Sequence, residues 1–300
     1  MRIVIASGKG GAGKTCVTAS LADVWGAPLV AVDTDAEAPN LHLFLPPQIT
    51  ETKTAFLDVP NMDAEKCVHC EKCRNICAYK AIASFAGRIT LFPDMCHGCG
   101  GCFAVCPSGA LIHAERELGE ISRGTALDGT VRFLMGRSRI GESMTPPLLR
   151  QELHELSDML EASSGDALID SPPGVSCPAV TVAREADVIL LVVDPTPFGF
   201  HDFRLAHQAF MPIGRPMAAV INRAGAEGNA EGDEAVRVYC RKQNLPLLAE
   251  LPFEREAAEQ YASGRLLAKL SPAWRKRFEH LRDELLALSA SPAAKEAPHA

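Results

Sequence analysis

The sequence predicts an α/β protein whose mostly parallel, doubly wound sheet is interrupted by a small cysteine-rich α+β insert. Three observations support this prediction. Short apolar runs alternate with helix-like patterns along most of the 300 residues. A glycine-rich loop joins the first apolar run to the first helical pattern. Between about residues 58 and 114 the alternation stops, and eight of the eleven cysteines occur there.

The composition limits the classes of function. A net charge of −7 argues against general nucleic-acid binding, which needs a basic surface. No run of about 18 apolar residues predicts a membrane span, and the first residues lack the pattern of a signal peptide. We therefore expect a cytoplasmic protein whose cysteines bind metal rather than form disulfides.

The first predicted strand, Arg2–Ala6, leads into the loop Gly8-Lys9-Gly10-Gly11-Ala12-Gly13-Lys14-Thr15. This loop fits the phosphate-binding motif G-x-x-x-x-G-K-[ST], and a helix is predicted after it over residues 15–25. Glycines let backbone N–H groups approach phosphate oxygens, and the helix N-terminus adds partial positive charge. We expect Lys14 to contact the β- and γ-phosphates and the Thr15 hydroxyl to bind Mg²⁺. A glycine-rich turn without a ligand is the alternative.

Acidic side chains follow two further predicted strands. Asp33 and Asp35 follow a strand predicted over residues 28–32, and Asp170 ends a strand predicted over residues 167–170. Because parallel strands end at the ligand-binding edge of such a sheet, these carboxylates are expected beside the phosphate-binding loop. An Asx turn is the alternative for the first two.

The insert contains one cysteine pattern written twice, 29 positions apart. The two runs are Cys67-x2-Cys70-x2-Cys73-x3-Cys77 and Cys96-x2-Cys99-x2-Cys102-x3-Cys106. This is the spacing of bacterial ferredoxins, in which the fourth cysteine of each run ligates the other [4Fe–4S] cluster. The expected ligand sets are therefore Cys67, Cys70, Cys73 and Cys106 for cluster 1, and Cys96, Cys99, Cys102 and Cys77 for cluster 2. Zinc, which also binds C-x2-C pairs, is the alternative.

The remaining chain returns to alternating strands and helices. Strands are predicted over residues 131–135, 188–196, 217–223 and 247–249. Helices are predicted over residues 148–160, 199–210, 234–243 and 272–289. The last helix has one apolar face, which we expect to dock on the body of the protein rather than on a membrane. The tail, residues 290–300, is expected to be disordered.

The second lysine of the loop, Lys9, makes it resemble the deviant phosphate-binding loop of the MinD/ParA/Mrp class of ATPases, which includes the nitrogenase iron protein. The resemblance implies a nucleotide-dependent dimer in which Lys9 reaches phosphates bound to the partner. It implies that Asp33 supports the loop and that Asp35 holds Mg²⁺ through water or orients the attacking water. By the same resemblance Asp170 binds Mg²⁺ through water, and the Gly174 N–H senses the γ-phosphate.

Further residues enter through the same resemblance. Asn222 resembles the asparagine that recognises adenine in this class, with a turn asparagine as the alternative. Cys16 and Arg223 are assigned to the nucleotide site with it. Cys177 resembles in position a cluster-ligating cysteine of the nitrogenase iron protein, and it can equally be a small packed thiol.

The whole chain is thus similar to MinD-superfamily ATPases that carry an inserted two-cluster ferredoxin domain. The expected ATPase domain covers residues 1–57 and 115–289, and the insert covers residues 58–114. The implied cofactors are ATP, Mg²⁺ and two [4Fe–4S] clusters. The leading hypothesis is an ATP-hydrolysing homodimer, or heterodimer with a paralogue, that gates electron transfer to a redox or metal-cluster-binding partner. An Mrp-like scaffold or carrier for cluster assembly is the alternative; the acidic charge and the clusters speak against a positioning ATPase.

Overall fold

The computed structural model describes residues 1–142 and 144–290, so the predicted tail lies outside the description from residue 291 onward. The strands are β1 (Arg2–Ala6), β2 (Leu29–Asp33), β3 (Gln48–Met62), β4 (Ile82–Phe85), β5 (Arg88–Leu91), β6 (Leu111–Ala126), β7 (Val131–Ser138), β8 (Asp166–Asp170), β9 (Val188–Val193), β10 (Met217–Ala224) and β11 (Leu247–Pro252). The helices are α1 (Lys14–Val24), α2 (Lys72–Ile76), α3 (Gly101–Val105), α4 (Thr145–Ala162), α5 (Cys177–Arg184), α6 (Pro197–Phe210), α7 (Ala230–Gln243), α8 (Arg255–Ala262) and α9 (Pro272–Ser289).

Nine strands form one sheet in the order β11-β10-β9-β1-β8-β2-β7-β6-β3. The six pairings from β11 to β7 are parallel, which confirms the predicted α/β class with a mostly parallel sheet. The strands β2 and β9 are buried along their whole length, as expected where helices cover both faces. The register pairs Asp33 of β2 with Asp170 of β8, so two acidic strand ends lie side by side.

The long edge strand β3 and its long neighbour β6 are not predicted from the sequence. Most of the first seven residues of β3 are exposed, so no apolar run marks the strand. The strand β6 joins β7 through a turn in which Leu127 and Asp128 have positive φ values of 49° and 54°. The Gly129 N–H donates to the Ala126 carbonyl at 3.2 Å. Positive φ values at both central residues suit the connection of a β-hairpin.

The helix α9 belongs to the main hydrophobic core. Its four buried side chains are Trp274, Phe278, Leu281 and Leu285, each at most 2% exposed. They join a core that includes residues of α1 and of the central strands. Burying one such side chain contributes about 1.5–3 kcal/mol. The predicted docking of this helix on the body is therefore confirmed. None of the helices within residues 1–142 and 144–290 has the length and apolar character needed to cross a membrane.

The chain packs as two compact units. The larger unit comprises Met1–Thr52, Ile121–Arg137 and the described residues from Leu149 onward. The smaller unit comprises Lys53–Glu120 and Ser138–Leu148. The smaller unit therefore contains the cysteine-rich segment together with Ser138–Leu148, which lies later in the chain.

The smaller unit repeats its local structure. Its helices α2 and α3 begin at Lys72 and Gly101, the same 29 positions apart as the cysteine runs. Each helix follows a residue in the left-handed conformation, Glu71 with φ of 57° and Gly100 with φ of 73°. One cluster of buried residues in this unit consists of Cys73, Ile82, Cys102 and Leu111. The internal repeat predicted from the cysteines is thus also a repeat of backbone structure.

Candidate functional site

The loop between β1 and α1 requires glycine at two positions. Gly13 has a φ of 100°, and a Cβ there would lie 2.1 Å from Asn222 Nδ2. A Cβ on Gly8 would lie 2.0 Å from the carbonyl oxygen of Asp202. The loop therefore lies directly against β10 and α6. Helix α1 begins immediately after Gly13, so its N-terminal partial positive charge lies at the end of the loop.

Thr15 and Asp170 meet beside this loop. Thr15 Oγ1 donates a hydrogen bond to Asp170 Oδ2 at 2.5 Å. Asp170 is 2% exposed, and its Oδ1 has no hydrogen-bond partner among the described residues. Hydroxyl and carboxylate oxygens are the ligands that Mg²⁺ prefers. The side chains present, with one buried oxygen left over, therefore fit a magnesium site.

Burial changes the protonation of the two acids near Lys14. The pKa of Asp170 rises to about 8, mainly because of burial and then because of the Asp33 charge, while Lys14 and Thr15 act against the rise. Burial also raises the pKa of Asp35, against the Ala38 N–H and the Lys14 charge. A cation near these carboxyls favours their ionised form. Cation binding and loss of protons are therefore linked at this site.

Asp33 has a different place from the one expected. We expected it to support the phosphate-binding loop. Its carboxylate instead accepts hydrogen bonds from the N–H groups of Asp35 at 3.2 Å, Asn40 at 2.8 Å and Leu41 at 2.8 Å. Burial raises its pKa, and these three N–H groups partly oppose the rise. Asp33 thus holds the segment after β2, which contains Asp35, rather than the loop after β1.

Gly174 and Lys9 are both engaged inside the chain. The Gly174 N–H donates to the Ser7 carbonyl at 3.0 Å, so it can contact a γ-phosphate only after this bond breaks. Lys9 Nζ lies 3.5 Å from Asp194 Oδ2, and Arg223 Nη1 lies 3.4 Å from the same oxygen. The predicted contact of Lys9 with a partner's nucleotide therefore requires release of this ion pair.

A cavity adjoins the loop in the larger unit. Its lining includes Cys16, Asn222, Arg223, Phe253 and Tyr261. The Asn222 Nδ2 group donates to the carbonyl of Ala12 at 2.8 Å, which fixes the amide beside the loop. An aromatic and apolar lining with a few polar groups suits a flat nitrogenous base. The contribution of Tyr261, on α8, to this cavity was not predicted, because no sequence motif links that helix to the loop.

The eight cysteines of the two runs line two separate cavities in the smaller unit. The first cavity is lined by Cys67, Cys70, Cys73 and Cys106. The second cavity is lined by Cys77, Cys96, Cys99 and Cys102. Each cavity therefore receives three cysteines of one run and the last cysteine of the other. This crossed grouping is the arrangement that the spacing of the two runs predicts.

The chemistry of these thiols fits a bound metal cluster. Cys73 and Cys102 are buried, while Cys70 and Cys99 are exposed, so corresponding positions of the two runs match. Burial raises the pKa of Cys102 to about 11, and a thiol of this kind ionises when it binds a metal. The Gly98 N–H donates to Cys96 Sγ at 3.4 Å, a bond typical of cluster-binding loops. Among the residues that the structure describes, no group of three or more His, Cys, Asp or Glu side chains converges on one point as a zinc ion would need.

The other three cysteines differ among themselves. Burial raises the pKa of Cys16 to about 12, so it lines the cavity beside the loop as a neutral thiol. Cys240 is buried in α7. Cys177 is exposed and is the first residue of α5, three positions after Gly174. Exposure leaves Cys177 free to react, whereas the other two are packed.

A sequence model of the CobQ/CobB/MinD/ParA nucleotide-binding domain matches residues 3–267, a range that contains the loop, its acids and most of the lining of the adjoining cavity. The chain belongs to this family. Two uncharacterized proteins of Methanocaldococcus jannaschii are similar to it along most of their length. One is 31% identical over an alignment that covers 67% of this chain and 70% of the relative. The other is 26% identical over an alignment that covers 82% of this chain and 91% of the relative.

Solved structures of this family share the fold. The cell division ATPase MinD of Pyrococcus furiosus has a TM-score of 0.58 and 23% identity, over 96% of this chain and 98% of its own. The septum site-determining protein MinD of Pyrococcus horikoshii, complexed with Mg-ADP, has a TM-score of 0.59 and 21% identity, over 96% and 97%. At this level of identity the likeness concerns the fold alone.

Two shorter matches involve subunits of redox enzymes. The NADP-reducing hydrogenase subunit HndD of Solidesulfovibrio fructosivorans is 31% identical over 67 residues, which cover 18% of this chain and 12% of that protein. The indolepyruvate oxidoreductase subunit IorA of Methanothermobacter marburgensis is 42% identical over 50 residues, which cover 17% and 8%. Both matches are about as long as the cysteine-rich segment.

Proposed function

We propose that this member of the CobQ/CobB/MinD/ParA family is an ATPase in which Mg-ATP-driven dimerisation gates electron transfer through two [4Fe–4S] clusters to a partner protein. One observation carries the proposal. The eight thiols are grouped four and four around two cavities, in a chain that also has the family's phosphate-binding loop. A chain with both features can link the nucleotide state to a redox state.

The nucleotide part of the proposal assigns a role to four side chains. Lys14 neutralises charge on the β- and γ-phosphates, while Thr15 and Asp170 hold Mg²⁺, the latter through water. Asp35 orients the water whose oxygen bonds to the γ-phosphorus. The bond from this phosphorus to the bridging oxygen then breaks, which yields ADP and phosphate. Fixed charges that act where charge develops are the main source of acceleration in such reactions.

The dimer part of the proposal rests on Lys9. Its ion pair with Asp194 is open to solvent on the lysine side, where 29% of the side chain is exposed. A partner's nucleotide offers phosphate oxygens that can replace this single carboxylate. The partner is a second copy or a paralogue. The two relatives from one organism show that a single organism can encode two such chains.

The cysteine part of the proposal assigns Cys67, Cys70, Cys73 and Cys106 to one cluster, and Cys77, Cys96, Cys99 and Cys102 to the other. When bound, such clusters supply one-electron storage and transfer. The buried thiols shield each site, and the exposed Cys70 and Cys99 leave one side open to a redox partner. The short matches to two redox-enzyme subunits support this assignment. We place the protein in the cytoplasm, where thiols stay reduced.

A second function has one observation in its favour. Cys177 is exposed three positions after Gly174, at the start of α5. Two copies of this thiol, one from each subunit, would supply two of the four thiolates that a labile cluster needs before delivery to a client protein. Because a carrier needs exposed ligands, Cys177→Ser would abolish cluster transfer while the iron bound by the eight other thiols stays constant.

The test of the proposed function is an anaerobic redox titration of the reconstituted protein, followed by EPR, with and without Mg-ATP. We expect Mg-ATP to shift the midpoint potential or the EPR signal of at least one cluster. Lys14→Ala is the matched control, since it removes a phosphate contact in the larger unit and leaves every cysteine in place. It should load the same iron and sulfide but show no response to Mg-ATP.

Two results would count against the proposal. Protein that binds no iron and sulfide after reconstitution would remove the redox part altogether. Identical titrations with and without Mg-ATP, in protein that binds ATP, would remove the gating and leave the carrier function to be examined with an apo client.

Dimerisation has its own test. Lys9→Ala removes the charge that we place on the partner's nucleotide, so ATP should no longer convert monomer to dimer in multi-angle light scattering. Nucleotide binding by the monomer should remain, because Lys14 and Thr15 are intact. If ATP dimerises the variant as it does the native protein, Lys9 has no role across the interface.

A further inference from the structure

The two halves of the cysteine repeat differ in the charges around their first cysteine. Cys67 and Cys96 occupy equivalent positions. Next to Cys67, Lys66 Nζ lies 2.9 Å from Asp63 Oδ2, with 61% and 28% of the two side chains exposed. Solvent and salt screen a pair of this kind. The surroundings of Cys96 are different, because they include a buried pair of charges.

Arg116, on β6, is the first member of this pair and is 7% exposed. Its Nη2 group donates to the carbonyl of Cys96 at 3.3 Å, and its Nη1 group donates to Glu142 Oε2 at 2.7 Å. Its Nε–H group is buried and has no partner among the described residues. The guanidinium thus contacts the backbone of a proposed cluster ligand and retains a donor that the described residues leave unused.

Glu142 is the second member, and only 1% of its side chain is exposed. It accepts hydrogen bonds from Arg116, from Arg139 Nε at 3.3 Å and from the N–H of Met144 at 2.8 Å. Arg139 continues the network, since its Nη2 group donates to Asp94 Oδ1 at 2.7 Å, two residues before Cys96. Two arginines and two acids therefore surround one cluster-binding loop.

We propose that Arg116 and Glu142 set the reduction potential of the cluster in the second cavity and make it differ from that of the first. The inference rests on the cluster assignment proposed above. Both residues act as positioning and tuning residues, because Arg116 contacts the backbone of Cys96 while Glu142 acts through Arg116. The potential of an iron–sulfur cluster depends on net local charge, hydrogen bonds and exposure.

The direction of the effect follows from the charges. While both residues are present, the positive charge of Arg116 is balanced by Glu142. Removal of Glu142 leaves a buried arginine uncompensated, which favours the more negative, reduced form of the cluster. Removal of Arg116 leaves the carboxylate in excess and favours the oxidised form. The first cavity should respond to neither change.

The experiment is an anaerobic potentiometric titration of the reconstituted holoprotein by EPR, in native protein and in Glu142→Gln and Arg116→Gln. Cys70→Ala and Cys99→Ala, each lacking one ligand of one cavity, assign the two signals. Glu142→Gln should favour reduction of the second-cavity cluster roughly tenfold. Its midpoint potential should therefore rise by about 59 mV for a one-electron reduction. Arg116→Gln should lower the same midpoint, and the double variant should return towards the native value.

Conservative and remote variants keep the result interpretable. Glu142→Asp and Arg116→Lys retain the charges and should keep the native midpoint. Arg139→Gln removes a half-exposed charge and should lower the midpoint by less, even if the buried variants lose the cluster. Glu250→Gln is the matched control, because its carboxylate pairs with Arg237 at 2.6 Å in the larger unit and should move neither cluster.

Several results would overturn the inference. One is an unchanged midpoint potential of the second-cavity cluster in Glu142→Gln or Arg139→Gln. Another is an equal shift of the midpoint potentials of both clusters. A third is a shift of the same sign in Glu142→Gln and Arg116→Gln. A protein that loads two clusters and behaves in this way refutes only the tuning role. Absence of iron and sulfide from the native protein refutes the cluster assignment and the inference together.

Discussion

The two compact units keep their candidate sites in place by different means. In the larger unit, the phosphate-binding loop lies on a sheet with a large hydrophobic core, and Thr15 and Asp170 already contact each other. In the smaller unit, one buried cluster beside the cysteine runs has four members, and two of them, Cys73 and Cys102, are proposed ligands. The first site is therefore built by apolar packing, whereas we expect the second to depend on the clusters proposed for its thiols.

Removal of iron and sulfide is the strongest way to test this contrast. Because two of the four residues in this buried cluster are proposed ligands, chelation should abolish most hydrogen-exchange protection in residues 53–120 while β1, β8 and β9 stay protected. Mass spectrometry after anaerobic chelation measures both regions in one sample, and reconstitution provides the control. Full protection of residues 53–120 without iron would show that the unit folds on side-chain packing alone.

The larger unit should be sensitive to pH through Asp170 instead. Its pKa is about 8 in the folded protein, mainly because of burial, and about 3.9 in an unfolded chain. Between these values the native state binds the extra proton, so the free energy of unfolding falls as pH rises, by up to about 1.4 kcal/mol per pH unit. The contribution is complete below pH ~4 and lost as pH passes ~8, while Asp33 adds to the slope at lower pH.

Asp170→Asn should therefore flatten the pH dependence and make the metal-free protein more stable than the native one at pH 8. Urea unfolding followed by tryptophan fluorescence, without Mg²⁺, measures this, because Trp25 and Trp274 both lie in the larger unit. Glu185→Gln removes a carboxylate whose side chain is 43% exposed and serves as the control. Parallel pH profiles of native protein and Asp170→Asn would contradict the expectation.

The smallest effect concerns the backbone of the cysteine repeat. Lys80 and Gly109 occupy equivalent positions and have φ values of 58° and 61°. Nothing lies within 4 Å of a Cβ built on Gly109, so Gly109→Ala tests conformational strain alone. It should destabilise the loaded unit by about 1 kcal/mol, and Lys80→Gly should stabilise it by less. Denaturation followed by cluster absorbance measures the stability of both variants. Equal unfolding midpoints for Gly109→Ala and Lys80→Gly would show that the left-handed backbone is not retained at these positions.

The sequence alone determined the features that depend on residues close together in the chain. The phosphate-binding loop, the acid at the end of β8 and the repeat that places α2 and α3 29 positions apart are all read from short spacings. Covalent distance decides what such residues can reach, so motif and local structure agree. The buried strands and the apolar face of α9 were also predictable, since their periodicity reflects the side that is buried.

Only the tertiary structure decided which distant groups meet. Lys9 forms an ion pair with Asp194, and the Gly174 N–H donates to the carbonyl of Ser7. The Asp33 carboxylate accepts hydrogen bonds from the segment after β2. These partners occupy the donors and acceptors for which the sequence predicts other contacts. Which contact forms depends on the positions of residues that are distant in the chain, and local sequence patterns do not encode those positions. The edge strand β3 escaped prediction because exposure removes its apolar signal. Arg116 and Glu142 have no motif, because their pairing exists only once the chain returns beside Cys96.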